Sequence, residues 1–321
     1  MPIEVKKLTH VYMADTPFES RALNDVSLRI EDGEFIGIIG HTGSGKSTLI
    51  SHLNALEKSA PGMVWVNGVD LGEKDVDLAK VRRTVGLVFQ YPEYQLFEET
   101  VAKDISFGPR NLKLPEEEIS RRVKSAMRQV GLKEKYAERS PFELSGGQKR
   151  RVAIAGVLAM EPSILILDEP AAGLDPVGRR DMLDLIAGIH DRGVTVVMVS
   201  HSMDDVGRLC DRLFVLNRGS VAFSGTPAEV FAHGDELREI GGRIAEKLNQ
   251  AEGKTVLMLP LKGVSGIDVE GTPFYDPEAD QALFDTLKSA VKDSVEVIEM
   301  DNAVNDEAFA LAAAKKLISM L

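Results

Sequence analysis

The stretch Gly40-His41-Thr42-Gly43-Ser44-Gly45-Lys46-Ser47-Thr48 follows the apolar run Phe35 to Ile39 and leads into the helix-like Leu49 to Leu56. The spacing G-x-x-x-x-G-K-S between a strand and a helix lets backbone N–H groups converge on phosphate oxygens. Glycines permit the turn and carry no Cβ to block close approach. Lys46 is then expected to neutralise the β- and γ-phosphates of a nucleotide, and Ser47 to ligate Mg²⁺. The N-terminus of the following helix adds a favourable field for the anion. The alternative, a flexible glycine turn, leaves the Lys-Ser pair and the flanking strand and helix unexplained.

The rest of the chain builds a frame for this loop. Ile3 to Tyr12 and Ala22 to Ile30 mix apolar and polar residues in near alternation, the pattern of an antiparallel sheet on one edge. Asn67-Gly68 between Gly62–Val66 and Val69–Leu71 is a hairpin turn signal. A buried strand from Thr84 to Phe89 ends at Gln90. Residues 91 to 160 read mainly as helices, including Pro115 to Val130 and Gln148 to Met160, and form an inserted helical lobe. Ile164–Leu167, Val194–Val199 and Leu213–Leu216 return the chain to sheet, separated by helices over Gly178–His190 and Met203–Cys210. Short apolar strands alternating with helices predict a mainly parallel sheet covered on both faces, an α/β fold.

Composition limits the function classes. With 321 residues and 44% apolar content the chain can bury a sizeable core. No apolar run approaches the ~20 residues that cross a bilayer, and the first residues do not read as an export signal. The single cysteine, Cys210, excludes an internal disulfide and reads as buried filler. A net charge of −12 argues against a nucleic-acid binder. From Gly241 onward there are eight Lys/Arg and fourteen Asp/Glu, so that quarter carries −6 of the −12, and a composition break at Gly241-Gly242 marks a second unit.

Two further stretches carry chemistry. The apolar strand Ile164 to Leu167 ends in Asp168-Glu169, and strand ends are where such sheets bind ligands. Asp168 is placed to hold Mg²⁺ through its water shell, and Glu169 to orient or deprotonate an attacking water. Leu144-Ser145-Gly146-Gly147-Gln148 opens the Arg-rich helix and is a second phosphate-binding helix start. One nucleotide has one γ-phosphate, already wrapped by the first loop. The second start is therefore best explained as capping ATP held by another subunit.

At this point the chain resembles an ABC-type ATPase over roughly residues 3 to 241. The resemblance implies a P-loop NTPase of ABC type: a mainly parallel core, an antiparallel edge sheet and a helical signature lobe. It makes Leu144 to Gln148 the signature sequence, Gln90 the Q-loop residue and a metal contact, and Gly173-Leu174-Asp175 the D-loop. His201, after Val199-Ser200, becomes the switch histidine that bonds the γ-phosphate and holds Glu169. Tyr12, otherwise a core aromatic, becomes the residue stacked on adenine. Thr16 to Glu19, Pro92 to Thr100 and Arg139 to Glu143 resemble the ATP-binding subunits of energy-coupling factor transporters, which power uptake of vitamins and metal ions. That implies a second ATPase subunit, identical or not, a transmembrane energy-coupling subunit and a substrate-binding membrane subunit, with this chain peripheral on the cytoplasmic face. The stretch after Gln90 joins the nucleotide strand to the lobe, and its aromatics offer a docking pocket for a partner helix. Other readings are a soluble ABC ATPase, which would need coiled-coil insertions or tandem cassettes, and an inactive fusion product.

Residues 242 to 321 differ. Stretches such as Leu259 to Asp268, Pro273 to Asp280 and Asn305 to Ala310 resemble the C-terminal end of two-domain proteins related to a plant virus-resistance protein. Thr255–Leu259 and Val295–Ile298 read as strands, Gln281–Val291 and Glu307–Leu321 as amphipathic helices, and no glycine loop follows Gly242. The expectation is a small α/β appendage without a nucleotide site of its own.

Overall fold

The computed structural model describes residues 2–14, 16–231, 234–265, 269 and 277–320. Gly266-Ile267-Asp268 and Pro273-Phe274-Tyr275-Asp276, which carry part of the tail resemblance, lie outside the described residues. The chain divides into two compact units, Met1–Ser224 and Gly225–Leu321.

In the first unit, β1 (Ile3–Tyr12) and β2 (Ser20–Ile30) pair antiparallel from Ile3↔Ile30 to Tyr12↔Ser20, with register shifts between Val5 and Val11. β3 (Phe35–Ile39) is buried at every position and feeds α1 (Lys46–Leu53). β4 (Val64–Val66) and β5 (Val69–Asp70) close a hairpin on Asn67 and Gly68, whose φ values of 48° and 78° are the pair of positive angles a tight two-residue turn requires. β4 also pairs with β1, giving an edge sheet in the order β2-β1-β4-β5. A short α2 (Leu78–Thr84), capped by the Asp77 side chain, leads into β6 (Val85–Val88).

The helical lobe is α3 (Val101–Asn111), α4 (Glu116–Gln129) and α5 (Gly146–Leu158). After it come β7 (Ile164–Asp168), α6 (Pro176–His190), β8 (Thr195–Val199), α7 (Met203–Leu209), β9 (Arg212–Asn217) and β10 (Ser220–Gly225). The second sheet has the order β10-β9-β3-β8-β7-β6. β3 pairs in parallel with β8 and β9, and β7 with β6 and β8. The carboxyl ends of β3, β8, β7 and β6 therefore share one edge, where the segments beginning at Gly40, Ser200, Glu169 and Phe89 emerge. Leu49, Ile50 and Leu53 of α1 pack into one core with Ile36 and Ile38 of β3 and with Ile3 and Leu23 of the edge sheet, which fixes α1 and the loop before it. Cys210 is buried filler: a Cβ on Gly37 of β3 would fall 2.9 Å from its sulfur, and burial pushes its thiol pKa well up.

The second unit contains α8 (Pro227–Phe231), α9 (Gly234–Asn249), β11 (Thr255–Pro260), α10 (Pro277–Ala290), β12 (Val295–Met300) and α11 (Glu307–Met320). β11 and β12 pair in parallel from Thr255↔Val295 to Pro260↔Met300. Ala245, Leu259, Leu283, Phe284 and Leu287 form its own small core. Gly241-Gly242, expected between the domains, instead lie inside α9. A Cβ on Gly241 would come 3.1 Å from the Thr286 side chain, so the glycine serves close packing of α9 on α10. A glycine pair is a poor helix former and reads in sequence as a break, but tertiary packing overrides that propensity here.

Candidate functional site: a nucleotide cleft

The phosphate loop owes its shape to its glycines. Gly40, Gly43 and Gly45 have φ of 150°, 80° and 102°. A Cβ on Gly40 would lie 2.3 Å from the Leu216 carbonyl oxygen, and one on Gly45 2.5 Å from that of Ala22. Both obstacles are backbone and cannot give way, so any side chain there would unseat the loop. Lys46 opens α1 and is almost buried, and its Nζ donates to the carbonyls of Gly40 at 2.7 Å and His41 at 2.9 Å. The ammonium thus lies within the curl of the loop. Ser44 is fully buried and its Oγ has no hydrogen-bond partner among the described residues, a polar group left over for something the loop encloses. His41 reaches Thr42 O through Nδ1 at 2.7 Å and Asn217 Oδ1 through Nε2 at 3.2 Å.

Tyr12, at the end of β1, is 40% exposed, and its hydroxyl lies 3.2 Å from Thr48 Oγ1. That bond fixes an aromatic face beside the loop. The Tyr12 ring also meets the edge of His10 at a centroid distance of 4.4 Å, and His10 Nδ1 is 3.0 Å from His52 Nε2 on α1.

At the other wall, β7 ends in Asp168 and the chain turns at Glu169 with φ 47°, a left-handed conformation that is costly for a non-glycine residue. The Glu169 N–H donates to Val199 O at 2.9 Å, and this pins the turn to β8. Gln90 Nε2 donates to Glu169 Oε2 at 3.2 Å, and His201 Nδ1 lies 3.1 Å from the same oxygen. Ser47 Oγ donates to Asp168 Oδ2 at 3.5 Å. Burial, then the charge of Glu169, pushes the Asp168 carboxyl above its ordinary value, with Ser47 and Lys46 opposing. Two adjacent carboxylates facing a hydroxyl and an ammonium form a site that gains from a further positive charge. These groups line one cleft of about 940 Å³, together with the loop, Tyr12, and Ser20, Arg21 and Ala22 of β2. The last three were not legible in the sequence, where β2 carries only the alternation of an edge strand.

Ser145, Gly146, Gly147, Gln148 and Asp175 do not line this cleft. Ser145 caps α5 reciprocally: its Oγ accepts from the Gln148 N–H at 3.4 Å, and Gln148 Oε1 accepts from the Ser145 N–H at 3.1 Å. A Cβ on Gly146 or Gly147 would meet nothing within 4 Å, so this helix start stands open for approach from outside. Asp175 caps α6, Oδ1 accepting from Val177 N at 3.0 Å and Gly178 N at 2.9 Å. Sequence reading also missed Arg150, five residues into the signature helix. It is 2% exposed and bonded to Glu93 and to the carbonyls just after Glu169.

A parallel sheet carrying the phosphate loop on β3, a carboxylate pair on β7 and a histidine after β8, with a helical lobe that opens on its own capped glycine turn, defines an ATP-binding cassette of the ABC class. Residues 23–172 match the ABC transporter family, and residues 215–321 match the C-terminal domain of an uncharacterised protein family (UPF0261). The chain is 51% identical over 291 residues to the energy-coupling factor transporter ATP-binding protein EcfA2 of Clostridium perfringens, covering 90% of this chain and 99% of that one. It is 59% identical over 241 residues to the protein of the same name from Symbiobacterium thermophilum, covering 75% and 84% of the two chains. Among solved structures, cbiO1 from Clostridium perfringens, part of the ABC transporter complex cbiONQ, superposes with a TM-score of 0.65 at 38% identity over 76% of this chain and 96% of that one. The ATP-binding cassette MJ0796, a dimer bound to ADP and phosphate, gives 0.62 at 31% identity over 70% and 98%. The chain belongs to the family of energy-coupling factor transporter ATP-binding proteins.

Proposed function

We propose that this chain hydrolyses ATP to ADP and phosphate and that the cycle energises an energy-coupling factor importer for vitamins or transition-metal ions. The observation that carries the reading is the convergence of Gln90 and His201 on one oxygen of Glu169, across the cleft from Lys46. The phosphates of ATP lie in the loop Gly40 to Thr48 with Lys46 as counter-charge, and adenine stacks on Tyr12. Ser47 and Asp168, with Gln90, would hold Mg²⁺: the hydroxyl and the carboxylate are hard oxygen donors, and a cation would offset the burial and the Glu169 charge that raise the Asp168 pKa. Such an ion would supply neutralisation of phosphate charge. Glu169 accepts the proton of the attacking water, Gln90 fixes the carboxylate's orientation, and His201 bridges it to the γ-phosphate.

Ser145 to Gln148 and Asp175, which stand outside the cleft, act on ATP in a second ATPase subunit. The dimeric state of the similar cassette MJ0796 supports the pairing of two such subunits. The membrane-facing surface is a groove of about 480 Å³ that includes Leu96, Phe97, Asp104 and Phe107, with Phe97 and Phe107 edge to face at 5.0 Å. Exposed aromatics at the seam of sheet and lobe suit a helix of the transmembrane energy-coupling subunit, which works with a substrate-binding membrane subunit. The chain is then peripheral at the cytoplasmic face. No helix among the described residues is long and apolar enough to cross a membrane. The tail is read as a fragment of the family related to the plant virus-resistance protein; the match over residues 215–321 is to the C-terminal domain of the uncharacterised family UPF0261. Reconstitution with the membrane subunits tests the proposal: ATP-dependent uptake that vanishes with Lys46→Ala supports it, and ATPase activity that never associates with a membrane partner rejects the transport role.

A further inference from the structure

One side chain outside the cleft touches two of the segments that position Glu169, the one after Gln90 and the one after Glu169 itself. Arg150 lies on α5 and is 2% exposed. Its Nε donates to Glu93 Oε2 at 3.0 Å and its Nη2 to Glu93 Oε1 at 2.8 Å, a two-pronged ion pair. Its Nη1 donates to the carbonyls of Pro170 at 3.0 Å and Ala172 at 2.9 Å. The guanidinium also sits 5.9 Å from the centre of the Tyr91 ring.

The connectivity of these partners matters more than their number. Glu93 is in the single turn Pro92–Gln95, three residues after Gln90, and the Gln90 amide holds Glu169. Pro170 and Ala172 directly follow Glu169, whose left-handed backbone needs outside support. Besides the contacts to Val199 and His201, Glu169 thus has one side-chain support, through Gln90, and one backbone support, through Pro170 and Ala172, that both lead to one guanidinium. Burial makes the link stiff, because a buried charge that loses its partner is penalised heavily. Burial pushes the Glu93 carboxyl up, but the hydrogen bonds and charge of Arg150, with a backbone hydrogen bond, outweigh it and hold the carboxyl below its ordinary value.

We propose that Arg150 is a positioning residue that makes the geometry of Glu169 depend on the placement of the helical lobe. When α5 shifts, the turn bearing Glu93 and the carbonyls after Glu169 shift with it, so Glu169 is set for hydrolysis in one placement of α5 and withdrawn in others. The inference rests on the proposed role of Glu169 as base.

The test uses the full-length chain with its partner subunits and compares Glu93→Gln, Arg150→Lys and the double variant with wild type and with Glu169→Gln. Glu93→Gln keeps the shape and removes the charge, whereas Arg150→Lys keeps the charge and removes the fork. The expected result is ATP affinity within twofold of wild type, a turnover loss of about tenfold or more in Arg150→Lys, a smaller loss in Glu93→Gln, and a double variant no worse than Arg150→Lys alone. A purely structural role predicts instead that affinity, turnover and melting temperature fall together, and that result overturns the proposal. So does unchanged turnover in the folded variants. Should Arg150→Lys not fold, Glu93→Gln alone decides, by turnover against affinity. Normal turnover in Glu169→Gln would instead reject the reading of the site itself.

Discussion

Single residues give the sharpest expectations. Glu169→Gln removes the proposed base but keeps the volume and a polar contact for Gln90, so ATP affinity should persist while turnover falls by roughly 10² to 10⁴. Single-turnover hydrolysis alongside a nucleotide-binding titration measures both. A second expectation concerns His52, which is 1% exposed and whose pKa is lowered to about 4 by burial first and the charge of His10 second. The fold therefore favours the neutral ring. Between pH 6.5 and 4 the unfolded chain binds more protons at this site, so its stabilising contribution is full above 6.5 and declines as pH falls towards 4, with no further loss below. Melting temperature recorded across that interval should drop less steeply in His52→Gln than in wild type. Parallel curves would mean that the histidine pair does not govern acid sensitivity.

Elements differ in how much of them can be read in advance. The phosphate loop, the Asn67-Gly68 turn and the buried strands are local: spacing and positive φ belong to the residues themselves. α2 and α3 were not. α2 is seven residues with a weak apolar pattern, and α3 contains Pro109, which reads as a breaker but sits in the last turn. The Glu169 cluster was legible as residue types, but Gln90, Glu169 and His201 come from three segments, and only the order β8-β7-β6 brings them together. Arg150 gave no signal, because an arginine in an Arg-rich helix reads as solvated. At this scale the segment from Tyr91 to Phe97 is the proposed coupling element. Tyr94 and Phe97 are 84% and 58% exposed and touch no part of the nucleotide cleft. Tyr94→Ala or Phe97→Ala should cut uptake and co-purification with the membrane subunit severalfold while ATP affinity stays within about twofold. A variant with wild-type transport would remove these aromatics from the partner surface.

For the whole molecule, two units with separate cores imply separable stability. A chain truncated after Gly225 should bind ATP as the full chain does, whereas truncation at Gly241 leaves half of α9 without α10 and should aggregate. Loss of ATP affinity in the shorter chain would show that the second unit supports the site. The sheet order has one more consequence, which concerns the ribosome. β3, which presents the phosphate loop, is made early, yet its sheet neighbours among the described residues are β8 and β9, and Phe35 N–H bonds to Asp211 Oδ2 across 176 residues. At ~5–20 residues per second the loop waits roughly 10–40 s for the strands that seat it. During that interval ATP has no formed cradle to occupy. Nascent chains stalled before Asp211 should gain no protease resistance from ATP, and chains that have released β10 from the exit tunnel should gain it, so the nucleotide stabilises this protein only at the end of its synthesis.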